Sequence, residues 1–296
     1  MLKFLRGPIL GIIAIILWFA NIGFWMVFFT VIALLKLLLP IPYLRRGCSG
    51  LLDDIASSWM WVNNAMITHF IGIKWEVVGD LNMKMNDWYL VMANHQSWSD
   101  IVVLTQVLNK KIPFLKFFLK AQLRYVPVLG FAWWALDYPF MKRFSKKMLQ
   151  KKPHLKGKDL EITRKACEKF KQLPISVMNF VEGTRLTVEK QMKQKAPFKH
   201  LLLPKAGGVA HAMQILGKQF NQIIDVTIVY PKGIKSLWSL LCGKIDHVKI
   251  YLRSIPINAK LIGDYQNDPE FRKFFQQWLN QLWQEKDQLL IAEQHG

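Results

Sequence analysis

From Ile9 to Leu35 the chain carries no charged residue, a run longer than the roughly 20 apolar residues that a helix needs to cross a bilayer. A cleaved leader has a shorter apolar core, about 7–15 residues, followed by small residues; here Leu37, Leu38, Leu39 and Pro40 follow. The pattern predicts a retained membrane segment. Basic residues mark the cytoplasmic side of a membrane, and both flanks are basic: Lys3 and Arg6 before, Lys36, Arg45 and Arg46 after. Asn21 and Gly23 interrupt the middle. A helix that enters one leaflet and returns fits both facts, with a simple span left open. The next stretch, Leu51 to Ile73, mixes Trp59, Trp61 and Phe70 with Asp53, Asp54 and Asn63. It reads equally well as an interfacial helix or as an amphipathic core helix.

Beyond it, apolar runs bounded by Pro, Gly, Asn or Asp predict strands at Trp75–Val78, Trp88–Ala93, Leu136–Phe140, Ile175–Val181, Ile223–Tyr230 and Val248–Ile255. Helical spacing falls between them, over Ile101–Leu108, Leu160–Phe170 and Val209–Leu216. Strands alternating with helices predict an α/β fold. A last helix opens with Asp268 as cap and Pro269 in its first turn. Its stripe of Phe271, Phe274, Phe275, Trp278, Leu279, Leu282 and Trp283 is expected to pack on the domain. The organisation expected is residues 1–73 as a membrane-embedded or interfacial helical region and 74–296 as the α/β domain.

Charge adds a second requirement. Lys and Arg number 40 against 20 Asp and Glu, a net charge of +20 on a chain that is 52% hydrophobic. A basic surface serves nucleic acid or an anionic membrane. The apolar N-terminal run favours the membrane. The densest basic stretch, Lys142 to Lys171, lacks the interleaved aromatics that stack on bases. It reads as a solvated face or as a site for anionic membrane lipids, and no nucleic-acid partner is expected. The cysteines, Cys48, Cys167 and Cys242, have no metal-ligand spacing, so neither a zinc site nor any other metal is expected.

The candidate chemistry sits where strands end. Asn94-His95-Gln96-Ser97-Trp98-Ser99-Asp100 follows a strand and opens a helix. Folded back across the turn, the Asp100 carboxylate can fix one imidazole nitrogen of His95 and leave the other as a general base. Ser97 and Asp100 also match a helix-capping box, so Asp100 can equally be a cap. A second pair with the same spacing, His154 and Asp159, lies in the basic stretch with no strand before it and reads as chance. Glu182-Gly183-Thr184-Arg185 follows another strand; Gly183 permits a tight turn, and Arg185 offers a planar fork suited to phosphate. Lys205-Ala206-Gly207-Gly208 precedes a helix, where glycines favour close approach of an anion. Phe140-Met141-Lys142-Arg143 supplies another guanidinium. Together these segments describe a site for a phosphorylated alcohol.

In order along the chain they resemble the glycerolipid acyltransferase family typified by 1-acylglycerol-3-phosphate acyltransferases. Asn94–Asp100 resembles its His-x4-Asp block, Phe140–Arg143 its second block, Phe180–Arg185 its Glu-Gly-Thr-Arg block, and Lys205-Ala206-Gly207 its Lys-x-Gly. Phe118–Leu123 resembles the Lys-bearing segment between the first two, which adds Lys120. Val181 stands where Pro is usual, Ile224–Thr227 replaces a Pro-containing run, and the basic insert after Arg143 is long; these departures bear on the acceptor more than on the reaction. The resemblance implies a mixed sheet flanked by helices, with an N-terminal helical pair in the membrane and the active site on its cytoplasmic side (the inner membrane, were the source bacterial). It implies acyl transfer from acyl-CoA or acyl-carrier protein to a lysophosphatidic acid-like acceptor, without a cofactor. His95 is the implied base and Asp100 its orienting partner. Lys120, Arg143, Arg185 and Lys205 are the implied phosphate ligands, with Glu182, Gly183 and Thr184 completing the acceptor site. The alternatives are another lysophospholipid with a larger headgroup, or a non-catalytic protein that binds anionic lipid.

Overall fold

The computed structural model describes residues 7–79, 81–141, 158–171, 173–234 and 236–295. In chain order the helices are α1 (Pro8–Leu38), α2 (Pro42–Met66), α3 (Ser99–Leu108), α4 (Leu129–Ala135), α5 (Lys158–Cys167), α6 (Val188–Gln194), α7 (Ala206–Leu216), α8 (Leu237–Leu241) and α9 (Pro269–His295). The strands are β1 (Lys74–Val78), β2 (Tyr89–Ala93), β3 (Leu115–Phe117), β4 (Leu119–Lys120), β5 (Phe140–Met141), β6 (Ser176–Phe180), β7 (Gln222–Val229) and β8 (His247–Pro256).

Six strands form one mixed sheet in the order β1-β8-β7-β2-β6-β3. β3, β6, β2 and β7 run parallel, whereas β8 is antiparallel to β7 and carries β1 with it. β2 is buried along its whole length, as a parallel strand covered on both faces must be. One face packs on α3 and the first two helices, with Val91, Ala93, Val103, Leu104, Ile228 and Ile67 in the same cluster. The other face packs on α7 and α9 through Leu90, Met92, Val209, Met213, Phe275 and Trp283. The register aligns Ala93 with both Phe180 and Val226. The C-terminal ends of β2, β6 and β7 therefore share one edge, where ligands gather in open parallel sheets.

α1 is the one helix among the described residues long and apolar enough to cross a membrane. Ile12, Ile16, Phe19, Phe24 and Val31 stand exposed on it. α2 does not reach that apolarity, so the expected membrane pair is one apolar helix with an amphipathic companion. Asn21 Nδ2 donates to Asn63 Oδ1 at 2.8 Å and to the Trp59 carbonyl at 3.2 Å, joining the two. α2 turns an opposite face to the domain, where Asn109 Nδ2 donates to the Ser57 carbonyl and Thr105 Oγ1 to Asn64 Oδ1, while Leu51 and Trp61 stay exposed.

The expected strand over Leu136–Phe140 is not one. α4 ends there, Asp137 takes a left-handed turn at φ 59, and only Phe140–Met141 pair, with β4. Asp137 instead accepts from Lys36 Nζ at 2.7 Å and Ser49 Oγ at 2.6 Å, binding the turn to α1 and α2.

α9 starts as its sequence implied: Asp268 Oδ1 accepts from the backbone N–H groups of Glu270 and Phe271. It also drives Lys286 into the sheet, with no side-chain exposure. The ammonium donates to the Val226 carbonyl at 2.7 Å and Thr227 Oγ1 at 2.9 Å, and pairs with Asp225 Oδ1 at 2.8 Å. Arg253 holds the other Asp225 oxygen at 3.0 Å. Burial pushes the Lys286 ammonium below its usual value, and Asp225 opposes that shift. Removing one partner of a buried pair costs about 3–5 kcal/mol, because the other charge stays buried and unbalanced. Asp225→Ala is therefore expected to destabilise by that amount, and Lys286→Met by distinctly less, since Arg253 still balances Asp225. Denaturant melts of the two variants check this; equal losses would show that charge balance is not what the cluster supplies.

Candidate active site

β2 delivers Asn94 and His95 to the shared edge of the sheet. Asn94 clamps the turn to β7: its amide donates to the Ile228 carbonyl at 3.0 Å and accepts from the Ile228 N–H at 2.9 Å. The turn then reverses into α3 and brings Asp100 back beneath His95. His95 Nδ1 lies 2.9 Å from Asp100 Oδ2. The same oxygen accepts from the backbone N–H groups of Gln96 at 2.6 Å and Ser97 at 2.8 Å. Asp100 thus caps the helix start and holds the imidazole at once, so the two roles its spacing allows are not alternatives. Its other oxygen accepts from the Tyr230 hydroxyl at 2.7 Å. Asp100 is fully buried and the His95 side chain is 13% exposed. Hydrogen bonding of Nδ1–H to a carboxylate leaves Nε2 as the proton acceptor, and among the described residues no group hydrogen-bonds it. One ring face stacks on Phe180 at 3.9 Å and 13°.

β6 delivers the second turn beside the first. Gly183 sits at φ 67, a left-handed position that suits glycine, and its N–H closes the turn onto the Phe180 carbonyl. Two links join the turns: Glu182 Oε1 accepts from the His95 N–H at 3.3 Å, and the Leu186 N–H donates to the His95 carbonyl at 2.8 Å. Thr184 Oγ1 accepts from Lys190 Nζ at 2.8 Å. Arg185 is exposed and lays its guanidinium over the Trp98 ring at 4.5 Å. Lys205 caps α7 and its N–H donates to the Val181 carbonyl. Its side chain runs beside Gly183, where an added Cβ would lie 3.5 Å from Nζ. Two exposed cations thus border the turns, Arg185 against Trp98 of the first and Lys205 against Gly183 of the second.

One expected ligand is not brought here, and one lies outside the described residues. Lys120 is exposed at the end of β4, opposite Met141, and no contact among the described residues joins it to either turn. Arg143 lies outside the described residues, as does His154. Tyr230, Phe180 and Trp98 were not singled out from the sequence as site residues. A tyrosine closing an apolar strand before Pro231 was the available signal for Tyr230, and the exposed position of Trp98 beside the His-x4-Asp residues had none.

Glu182 is completely buried. Burial pushes its carboxyl up to about 8, opposed in part by the N–H groups of His95 and Leu202. The unfolded chain releases this proton near 4.5, while the folded chain keeps it to about 8. Between those values the folded state binds more protons, so this group lowers stability as pH rises. Glu182→Gln should flatten the fall in melting temperature from pH 5 to 8. An unchanged slope would show that Glu182 is already ionised in the folded protein at neutral pH.

Residues 74–231, more than half of the chain, match the model of a protein family described as acyltransferase. Lysophosphatidylinositol acyltransferase 10 of Caenorhabditis elegans is 26% identical, over 97% of this chain and 72% of its own. The 2-acyl-1-lysophosphatidylinositol acyltransferase of Saccharomyces cerevisiae is 26% identical over 68% of this chain and 60% of its own. The 1-acyl-sn-glycerol-3-phosphate acyltransferase delta of Bos taurus is 29% identical over 57% and 42%. The matched region is thus less than two thirds of the length of the last two. The 1-acyl-sn-glycerophosphate acyltransferase structure from Thermotoga maritima aligns with a TM-score of 0.48 and 18% identity, over 91% of this chain and 93% of that one.

Proposed function

The chain belongs to the acyltransferase family, and from that premise we propose that it is a membrane-seated O-acyltransferase that esterifies the free hydroxyl of a lysophospholipid with the acyl group of a thioester. The observation that carries the reading is the His95–Asp100 pair at the sheet edge, beside the turn that presents Arg185 and that Lys205 lies against. His95 Nε2 takes the proton of the acceptor hydroxyl as its oxygen attacks the thioester carbonyl. Asp100 holds Nδ1–H and stabilises the imidazolium. The carbon–sulfur bond breaks, the thiolate of coenzyme A or a carrier protein takes the proton from Nε2, and the ester remains. Arg185 and Lys205 hold the acceptor's phosphate. Glu182, Gly183 and Thr184 shape the turn against its glycerol. Residues 1–73 seat residues 74–296 at the membrane, with α1 embedded and the site facing the cytoplasm.

The relatives favour two acceptors. Lysophosphatidic acid fits the glycerophosphate relatives, and a lysophospholipid with an inositol headgroup fits the lysophosphatidylinositol relative aligned over nearly the whole chain. A panel of lysolipids with one acyl-CoA and one acyl-carrier protein separates them. His95→Ala should lose about 10²–10⁴ in rate, and His154→Ala should retain activity. Arg185→Ala should raise KM for the lysolipid more than for the thioester, whose reacting carbonyl is uncharged. Absence of thiol release with every lysolipid would favour the lipid-binding protein instead.

Seating by α1 has its own readout. Apolar insertion survives salt, while basic contacts are screened within about 3 Å at 1 M. The full chain should stay with membranes in a 1 M wash and need detergent for release. Lacking Met1–Lys36, it should bind anionic vesicles at low salt and come off at high salt. Extraction of the full chain by salt alone would mean that α1 is packed within protein.

A further inference from the structure

We propose that Tyr230 is a positioning residue of the proton-transfer pair: its hydroxyl fixes the rotation of the Asp100 carboxylate on which the alignment of His95 depends. The inference rests on the assignment of His95 and Asp100 above, which does not itself involve Tyr230.

The two carboxylate oxygens are held very differently. Oδ2 receives His95 and two backbone N–H groups, all from the one turn. Oδ1 has a single donor among the described residues, the Tyr230 hydroxyl. Asp100 is fully buried, so water does not replace that donor, and a buried acceptor left unpaired is costly. Without Tyr230 the carboxylate can turn about Cβ–Cγ and share its oxygens differently among the donors that remain.

Tyr230 comes from another strand, which makes its reach a constraint on the turn. It lies just beyond β7, and two residues earlier Ile228 exchanges two hydrogen bonds with the Asn94 amide. The end of β7 is thereby held against the first turn at two points, one before His95 and one behind Asp100. The Tyr230 ring is packed in the core with Val102 and Val103, so the hydroxyl has little freedom. Burial and the neighbouring carboxylate raise the phenol well above its usual value, so it remains a donor. The other titratable groups near the pair are Glu182, which accepts from the His95 N–H, Arg185, which rests on Trp98, and Lys205, which runs beside Gly183. Among the described residues none of them hydrogen-bonds Tyr230.

The phenol draws negative charge toward Oδ1. Removing it leaves more charge to stabilise the imidazolium, so the proton affinity of His95 rises. Replacing it with a stronger donor does the reverse. A tyrosine that only fills the core moves neither.

The test is Tyr230→Phe, which keeps the ring and deletes one oxygen. Turnover should fall about tenfold with KM for lysolipid and thioester within about twofold, the pattern of an interaction that matters in the transition state. The acid limb of the pH–rate profile should move up by about half a unit. Replacing Tyr230 with 3-fluorotyrosine, a more acidic phenol, should move it down. The His95 ring titration, followed by NMR in both proteins, should shift in the same directions. This titration needs no turnover, so it decides the proposal even if no lysolipid is acylated. Unchanged turnover, acid limb and His95 titration in a folded Tyr230→Phe protein overturn it. Should that variant not fold, an unmoved titration with 3-fluorotyrosine overturns it equally.

Discussion

A carboxylate with no access to water must find its hydrogen bonds within the protein or carry a large penalty. Asp100 is that group, and meeting its demands organises the sheet edge. Two of its donors are backbone N–H groups of residues 96 and 97, which forces the chain after β2 to wrap around the carboxylate before α3 begins. The third is His95, which the wrap brings overhead. The fourth comes from the end of β7, 130 residues away in sequence. The tight entry to α3 and the alignment of β2 with β7 are both geometric conditions for burying this one charge.

The remaining buried charges follow the same rule and tie other parts together. Lys286 fastens α9 to β7 through Asp225. Lys36 joins the end of α1 to the Asp137 turn, and Lys116 on β3 pairs with Asp53 on α2 at 2.8 Å. A buried pair adds little net stability, since desolvation offsets attraction, but a mismatched arrangement is penalised heavily. These pairs therefore select which helix end meets which turn. They register the N-terminal helices on the domain alongside apolar packing.

This explains what could be read from the sequence. β2, β6, β7 and β8 stood out because each is an apolar run long enough to be seen against Gly, Pro and Asp boundaries. α9 stood out by its Asp268 cap and apolar stripe, although Phe274, counted in that stripe, is exposed. The His95–Asp100 pair was legible because both ends lie on one turn, five residues apart. β3 escaped notice because Lys116 sits inside it, and a lysine reads as exposed until Asp53 is known to be its partner. Leu136–Phe140 was misread for a related reason. The apolar residues are there, yet Asp137 answers to Lys36 and Ser49, 101 and 88 residues away in sequence, and no local pattern reports them. Tyr230 was hidden likewise: its hydroxyl meets Asp100 only once β7 is placed beside β2.

The surroundings of His95 complete the physical picture. Phe180 covers one face of the imidazole and itself stacks near Phe117, with centroids 6.1 Å apart. Phe117 in turn packs on the cluster that holds Phe29 and Ala33 of α1, Leu52 of α2, Phe114 and Leu136. Apolar side chains thus run without a break from His95 to the helix that offers its apolar surface outward. The neighbouring turn exposes Arg185, and Lys205 runs beside it at Gly183. Apolar and cationic groups thus flank the His95–Asp100 turn, as the proposed acylation of an amphiphile with an apolar tail and an anionic head requires. On the proposed reading, that adjacency is what would place a hydroxyl carried between tail and head beside Nε2 of His95.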